Sequence, residues 1–129
     1  MNGTVREWVD KAEGDFRTAR REFQAPHEPN YDAACFHAQQ SIEKLIKAVL
    51  IHHDVAPPRI HNLERLHELL LTVCPEVVLD VEELRLLTNV GMATRYPGEE
   101  GDRDDAAQAM SICARLREPL LKLIDEKNA

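Results

Sequence analysis

Hydrophobic residues recur every three or four positions along five segments of the chain, a spacing that puts them on one face of an α-helix. The first segment begins at a capping box, Thr4-x-x-Glu7, and ends at about Gln24, before a loop that contains two prolines. The second begins after Asn30, which can cap a helix, and ends near His52–His53. The pattern therefore predicts two long amphipathic helices in the first half of the chain.

Three further helices are predicted in the second half. Each follows a residue that can cap a helix: Asn62, Asp80, and Asp104 or Asp105. The third helix is short and stops before Pro75, the fourth ends at Thr94–Gly98, and the fifth is expected to bend at Pro119, which lacks an N–H. No strand pattern or repeat competes, so we predict one all-α domain over residues 1–129, an antiparallel up-and-down bundle of four main helices plus one short helix.

Composition agrees with this fold and narrows the function. The chain has 129 residues, 43% hydrophobic and only 5% aromatic, which favours a helical protein with a real core. A net charge of −7 disfavours a protein that binds nucleic acid over its whole surface. A local basic strip is still compatible with this charge. We therefore look for chemistry in local clusters of side chains.

The cysteines and the apolar runs indicate the compartment. The chain has three cysteines, Cys35, Cys74 and Cys113. They are odd in number, widely spaced and set among apolar residues, which favours reduced packing thiols over a disulfide or a metal site. The sequence starts without an apolar leader segment, and no run approaches the roughly eighteen apolar residues of a membrane span. We expect a cytoplasmic protein that is neither secreted nor inserted in a membrane.

The second predicted helix carries an unusual polar face. Its members lie beside the apolar stripe: Phe36, His37, Gln40, Glu43, Lys44 and Lys47. On spacing alone, Glu43 and Lys47 form an ordinary i,i+4 pair on a solvated face, worth a few tenths of a kcal/mol. An aromatic residue on that face, and adjacent glutamines beside a histidine, instead favour contact with a second surface. His37 taken by itself is more often structural than a ligand or a base.

Several motifs, in this order along the chain, resemble the HEPN domain family. They are Trp8 with Ala12-Glu13-x-Asp15, the segment Tyr31–Ala48 with its Phe36-His37-x-Gln39-Gln40-x-x-Glu43-Lys44 pattern, His61-Asn62-Leu63, and Thr94-Arg95-Tyr96-Pro97. The similarity spans nearly the whole chain and is most specific in the second helix. The chain resembles small stand-alone HEPN proteins, one half of a two-gene module whose other half is a minimal nucleotidyltransferase.

The resemblance implies a partner, a ligand and a set of site residues. It implies a toxin–antitoxin-like or related nucleotide-linked role, a nucleotidyltransferase partner, a homodimer, and binding of nucleotide or RNA without a cofactor or metal ion. The polar face of the second helix would then be an interface. The binding residues would be Arg95, Tyr96, His61, Lys44 and Lys47.

The family's ribonuclease motif is not found where it is expected. Many proteins of the family that this chain resembles cleave RNA with an Arg-x(4–6)-His motif. Its histidine transfers the proton of the ribose 2′-hydroxyl, and its arginine stabilises the charge on the phosphate. Here His67 is the last histidine, so neither Arg95 nor Arg103 has one downstream. A literal match, Arg21 to His27, lies at the end of the first helix, and we interpret it as chance.

Two alternatives to the nucleotidyltransferase partner therefore stay open. One is a metal-independent endoribonuclease toxin, whose candidate catalytic residues are His37, His61 and Arg95. The other is a non-catalytic dimeric helical interaction module, in which the polar face is only a dimer seam.

The segment after the fourth helix has two interpretations. Pro97 and Gly98 can simply end the helix, with Arg95 and Tyr96 packed at its exit. Alternatively, Arg95 and Tyr96 hold a phosphate or stack on a base near His61, and Tyr96 could accept a nucleotidyl group. The acidic residues that follow are most simply solvated and supply a helix cap.

Overall fold

Five α-helices make up the computed structural model, which describes residues 2–93 and 96–128, with side chains as far as Asp125. The helices are α1 (Gly3–Gln24), α2 (Tyr31–His52), α3 (Leu63–Leu71), α4 (Val81–Met92) and α5 (Arg103–Asn128). No strand occurs among the described residues. The predicted all-α bundle of four main helices and one short helix is confirmed.

Three of the predicted helix caps are present. The side-chain oxygens of Asn30, Asn62 and Asp80 each accept a hydrogen bond from the backbone N–H three residues on, at 3.0, 3.1 and 3.1 Å. These bonds satisfy N–H groups that have no partner within the helix. The starts of α2, α3 and α4 are thus fixed by local sequence.

Two caps differ from the prediction. Asn2, not Thr4, caps α1, because its Oδ1 accepts the N–H of Val5 at 2.8 Å and Thr4 already lies inside the helix. Asp102, rather than Asp104 or Asp105, precedes α5; its Oδ1 accepts the N–H of Asp105 at 2.9 Å. Asp105 Oδ2 in turn accepts the N–H of Asp102 at 3.2 Å, which completes a reciprocal capping box. From there α5 continues through Pro119.

Helix α2 is the centre of the bundle, because it packs against all four other helices. Thirteen of its 22 residues are buried, among them the polar side chains of Gln39, Ser41, Glu43 and Lys47. A helix surrounded on so many sides has little room for an ordinary solvated face. Gln39, Glu43 and Lys47 accordingly form their hydrogen bonds within the protein.

Gly91 sets the distance between α2 and α4. A Cβ atom built on Gly91 would lie 2.3 Å from Cβ of Gln39 and 3.0 Å from the carbonyl oxygen of Cys35. No real side chain fits at such distances, so the backbone of α4 passes directly over α2 here. This close approach brings the end of α4 beside the polar residues of α2.

All three cysteines are free and buried, as predicted for packing thiols. Burial raises the pKa of the Cys113 thiol from 9.0 to about 12, so that side chain stays neutral. Within the part of the chain described, no helix is both long and apolar enough to cross a membrane.

Candidate functional site

A buried carboxylate, Glu43, holds a histidine at the protein surface. Its Oε1 atom lies 2.9 Å from Nδ1 of His61, whose side chain is 60% exposed. Its Oε2 atom accepts a hydrogen bond from Nζ of Lys47 at 3.0 Å. The amides of Gln39 and Gln40 also donate to Oε1, at 3.3 and 3.2 Å. Glu43 is therefore fully engaged although it is only 4% exposed.

A second carboxylate, Asp15 of α1, is arranged in the same way on the other flank of the α2 polar face. Its Oδ1 atom lies 2.8 Å from Nδ1 of His37, and its Oδ2 atom accepts a hydrogen bond from Nζ of Lys44 at 2.6 Å. His37 and Lys44 are partly exposed, at 30% and 25%, whereas Asp15 is 12% exposed. These contacts tie α2 to α1.

Each carboxylate thus anchors one histidine and one lysine. An ionised carboxylate can only accept hydrogen bonds, so Nδ1 of each imidazole carries the proton that it donates. The Nε2 atoms of His37 and His61 are then the ring nitrogens available to a ligand or a proton. Fixing the ring through Nδ1 sets both its tautomer and its orientation.

Comparison with known proteins identifies the family. The model of the HEPN domain matches residues 5–124. The chain belongs to the HEPN domain family. The fold of this HEPN protein is similar to that of TT1696 from Thermus thermophilus, with a TM-score of 0.68 and 21% identity over 98% of this chain and 99% of that one. No curated protein matches the chain. Membership supports a function related to nucleotides or RNA.

Two residues of the HEPN protein that were predicted to lie at an interface are buried inside the chain. Glu43 and Lys47 are 4% and 5% exposed within the chain itself, so they do not lie on a free face. The predicted i,i+4 pair is present, but it is buried, because α2 is surrounded by its neighbours. The same burial removes Lys47 as a surface contact for nucleotide or RNA. Phe36, His37 and Lys44 keep part of their surface exposed.

The end of α4 and His61 lie on the same side of α2. The amide of Gln39 donates a hydrogen bond to the backbone carbonyl of His61 at 2.9 Å, and Gly91 packs directly on Gln39. An open cleft of about 350 Å³ adjoins this region, and its lining includes Phe36 and His37 together with Gly91. The backbone of His61 and Gly91 thus both contact Gln39, and the predicted closeness of His61 to Arg95 and Tyr96 stays a prediction.

The loop after α4 contains the remaining predicted residues. Tyr96 is 67% exposed, and Arg95 lies outside the described residues. The loop returns to the start of α2, where the N–H of Gly101 donates to Asp32 Oδ1 at 2.7 Å. Within the described ranges, no three histidine, cysteine, aspartate or glutamate side chains form a group that could hold a metal ion.

Asp15 and Gln39 are the site residues whose roles were missed from sequence. Asp15 entered only as part of a family motif, but it orients both His37 and Lys44. Gln39 joins Glu43 to the carbonyl of His61. The Gln39–Glu43 contact has the i,i+4 spacing of a helix. The other three contacts join residues 22 or 29 positions apart, and no helical spacing reveals those.

Proposed function

We propose that this HEPN protein is the partner of a minimal nucleotidyltransferase in a two-gene, toxin–antitoxin-like module and binds nucleotide or RNA on the polar face of α2. The observation that carries the proposal is the pair of surface histidines, His37 and His61, each held by a buried or nearly buried carboxylate. The family membership supports nucleotide or RNA as the ligand.

The network around Glu43 supports a functional role because a buried ion pair adds little net stability to a core. Burying an ion pair costs desolvation free energy that the attraction between the charges often only repays, and apolar residues of similar size would serve stability as well. Such a network is useful when it holds an exposed group in a fixed orientation. Here the exposed group is the imidazole of His61, with Lys44 on the opposite flank to attract phosphate.

Phe36 provides the contact for a second protein in this proposal. It is 41% exposed and meets the ring of His37 edge-on, with 5.2 Å between the ring centroids. An aromatic side chain exposed beside polar residues is typical of an interface anchor. The second protein is the nucleotidyltransferase or, in a homodimer, another copy of this chain. Substitution Phe36→Ala should weaken whichever complex forms.

Binding measurements on the purified full chain test the proposal. Nucleotides and single-stranded RNA are titrated against the wild type and against His61→Ala and Lys44→Gln, with Lys122→Gln on the exposed surface of α5 as the control. In parallel, the chain is co-expressed with a minimal nucleotidyltransferase encoded beside it, and co-purification is measured. Binding that weakens in the first two variants only, together with a stable complex, supports the proposal. If the wild type binds neither nucleotide, RNA nor the nucleotidyltransferase, the proposal fails.

Metal-independent RNA cleavage is the second candidate, favoured by the two imidazoles anchored through Nδ1. An Nε2 atom fixed in this way can take the 2′-hydroxyl proton of ribose, and a second imidazole can protonate the leaving oxygen. The candidate predicts cleavage that persists with a chelator present and is lost in His61→Ala and in His37→Ala. Cleavage that both variants retain assigns the activity to a contaminant or to another site.

A further inference from the structure

A groove between α1 and α2 has the chemistry of a nucleotide site that the proposed function does not yet include. Its volume is about 400 Å³, and it is lined by Glu7, Trp8 and Lys11 of α1 and by Lys44 of α2. Trp8 is half-buried, so part of its indole packs against the core while another part lines the groove. The groove thus has an aromatic side chain that is packed against the core, and two ammonium groups.

The position of Lys44 in this groove is set by Asp15. The contact at 2.6 Å uses one of the three donors of the ammonium group, which leaves two for a ligand. Lys11 lies one helical turn before Asp15 on the same side of α1, and it is exposed. Among the described residues, none forms a hydrogen bond or an ion pair with the Lys11 ammonium, so it is available as well.

We propose that the groove binds one nucleotide of a single-stranded RNA, with the base stacked on Trp8 and the phosphodiester between Lys11 and Lys44. The inference rests on the proposed function in taking RNA as the ligand. Stacking on an aromatic side chain tolerates any base, because every base has a π-face. The groove volume lies within the range of small-molecule sites.

Charge selects the kind of nucleotide. The two lysines are balanced by Glu7 in the groove and by Asp15 behind Lys44, so the site has no large positive excess. A phosphodiester adds only one negative charge to this neutral set of four groups. A nucleoside triphosphate carries several, and the two carboxylates oppose it. The groove therefore favours a unit of RNA over a free triphosphate.

The single tryptophan of the chain makes a direct test possible, since all indole emission reports on this groove. The full chain is titrated with a single-stranded oligoribonucleotide of about 10 nucleotides, a length within the usual site sizes. Parallel titrations use a mononucleotide and a nucleoside triphosphate. We expect saturable quenching of Trp8 by the oligonucleotide at concentrations at which neither free nucleotide has an effect.

Variants test the same contacts by affinity for an end-labelled oligonucleotide. Trp8→Ala should weaken binding about 5- to 150-fold, the range found for loss of a stacked aromatic side chain. Trp8→Phe should keep most of the affinity, and Lys11→Gln should weaken it. Arg6→Gln is the matched control, since Arg6 is exposed on α1 but does not line the groove. Circular dichroism melts show whether each variant is folded.

The possible outcomes separate this inference from the proposed function. If RNA binds, and His61→Ala weakens the complex, but Trp8 is not quenched and Trp8→Ala and Trp8→Phe bind like wild type, the groove site is wrong and the proposed function stands. If the wild type binds no RNA, both are wrong. Equal quenching by the mononucleotide or the triphosphate overturns the assignment to RNA. A change of oligomeric state in Trp8→Ala and in Lys11→Gln, seen by light scattering, makes the groove a subunit contact and overturns it too.

Discussion

Replacing Glu43 by alanine removes the carboxylate that pairs with Lys47 in the described part of the chain. Lys47 is 5% exposed, and its ammonium is bonded to Glu43 Oε2 at 3.0 Å. The variant leaves this charge buried and unpaired. It also removes one acceptor of the Gln39 and Gln40 amides, which keep their bonds to the His61 carbonyl and to Gln39 Oε1. Both effects act against the folded state.

The expected loss is a large part of the stability of a domain of this size. Removing one partner of a buried ion pair costs about 3 to 5 kcal/mol, against a total free energy of unfolding of about 5 to 15 kcal/mol. The corresponding fall in melting temperature is on the order of 10 °C or more. The double variant Glu43→Leu with Lys47→Met should recover most of the loss, because it leaves no unpaired charge of the pair.

Urea denaturation followed by far-ultraviolet circular dichroism measures these free energies. Glu68→Ala, a glutamate on the exposed surface of α3, is the matched control and should change the midpoint little. A loss below about 1 kcal/mol for Glu43→Ala, the range of a surface ion pair, would refute the reasoning. So would a double variant less stable than Glu43→Ala alone.

Four further predictions concern three positions and are measured by urea denaturation or by alkylation. Gly91→Ala should destabilise the protein by about 1 to 3 kcal/mol or more, since its Cβ would overlap Gln39. Gly14→Ala should instead stabilise it by up to about 1 kcal/mol, since the Cβ in this helix interior meets only the end of Arg17 at 3.8 Å. The raised pKa of Cys113 contributes stability that is fully present below pH 9.0 and is lost as the pH rises toward about 12, so the wild type should lose stability over that range more steeply than Cys113→Ala. Below pH 9, iodoacetamide should modify Cys113 much more slowly in the folded protein than in urea, and equal rates would contradict its burial.

Helix positions could be read from sequence because their determinants are local. The caps at Asn30, Asn62 and Asp80 act on an N–H three residues away, so sequence spacing carries the information. The start of α1 was misplaced because two residues close together, Asn2 and Thr4, can both cap a helix. Asparagine is at least as good a cap as threonine. With Asn2 as the cap, Gly3 and Thr4 also belong to α1.

The site was less predictable because it depends on tertiary placement. A wheel drawn for α2 groups Glu43 and Lys47 with Phe36, but it does not show which neighbours cover them. The position of α2 against four other helices decides that, and the predicted free surface becomes a buried pair. Likewise, the contacts of Asp15 with His37 and Lys44 join residues 22 and 29 positions apart, so only the packing of α1 on α2 reveals them.

The way in which the two networks are assembled links the site to the fold. α2 supplies one part of each network, while Asp15 comes from α1 and His61 from the connection to α3. Neither network can form until these segments pack, so the surface groups are oriented only in the folded bundle. A second surface that covers this face then meets charges that are already paired within the chain. It has to desolvate few unpaired charges, which leaves Phe36 as the side chain with the most to gain from burial.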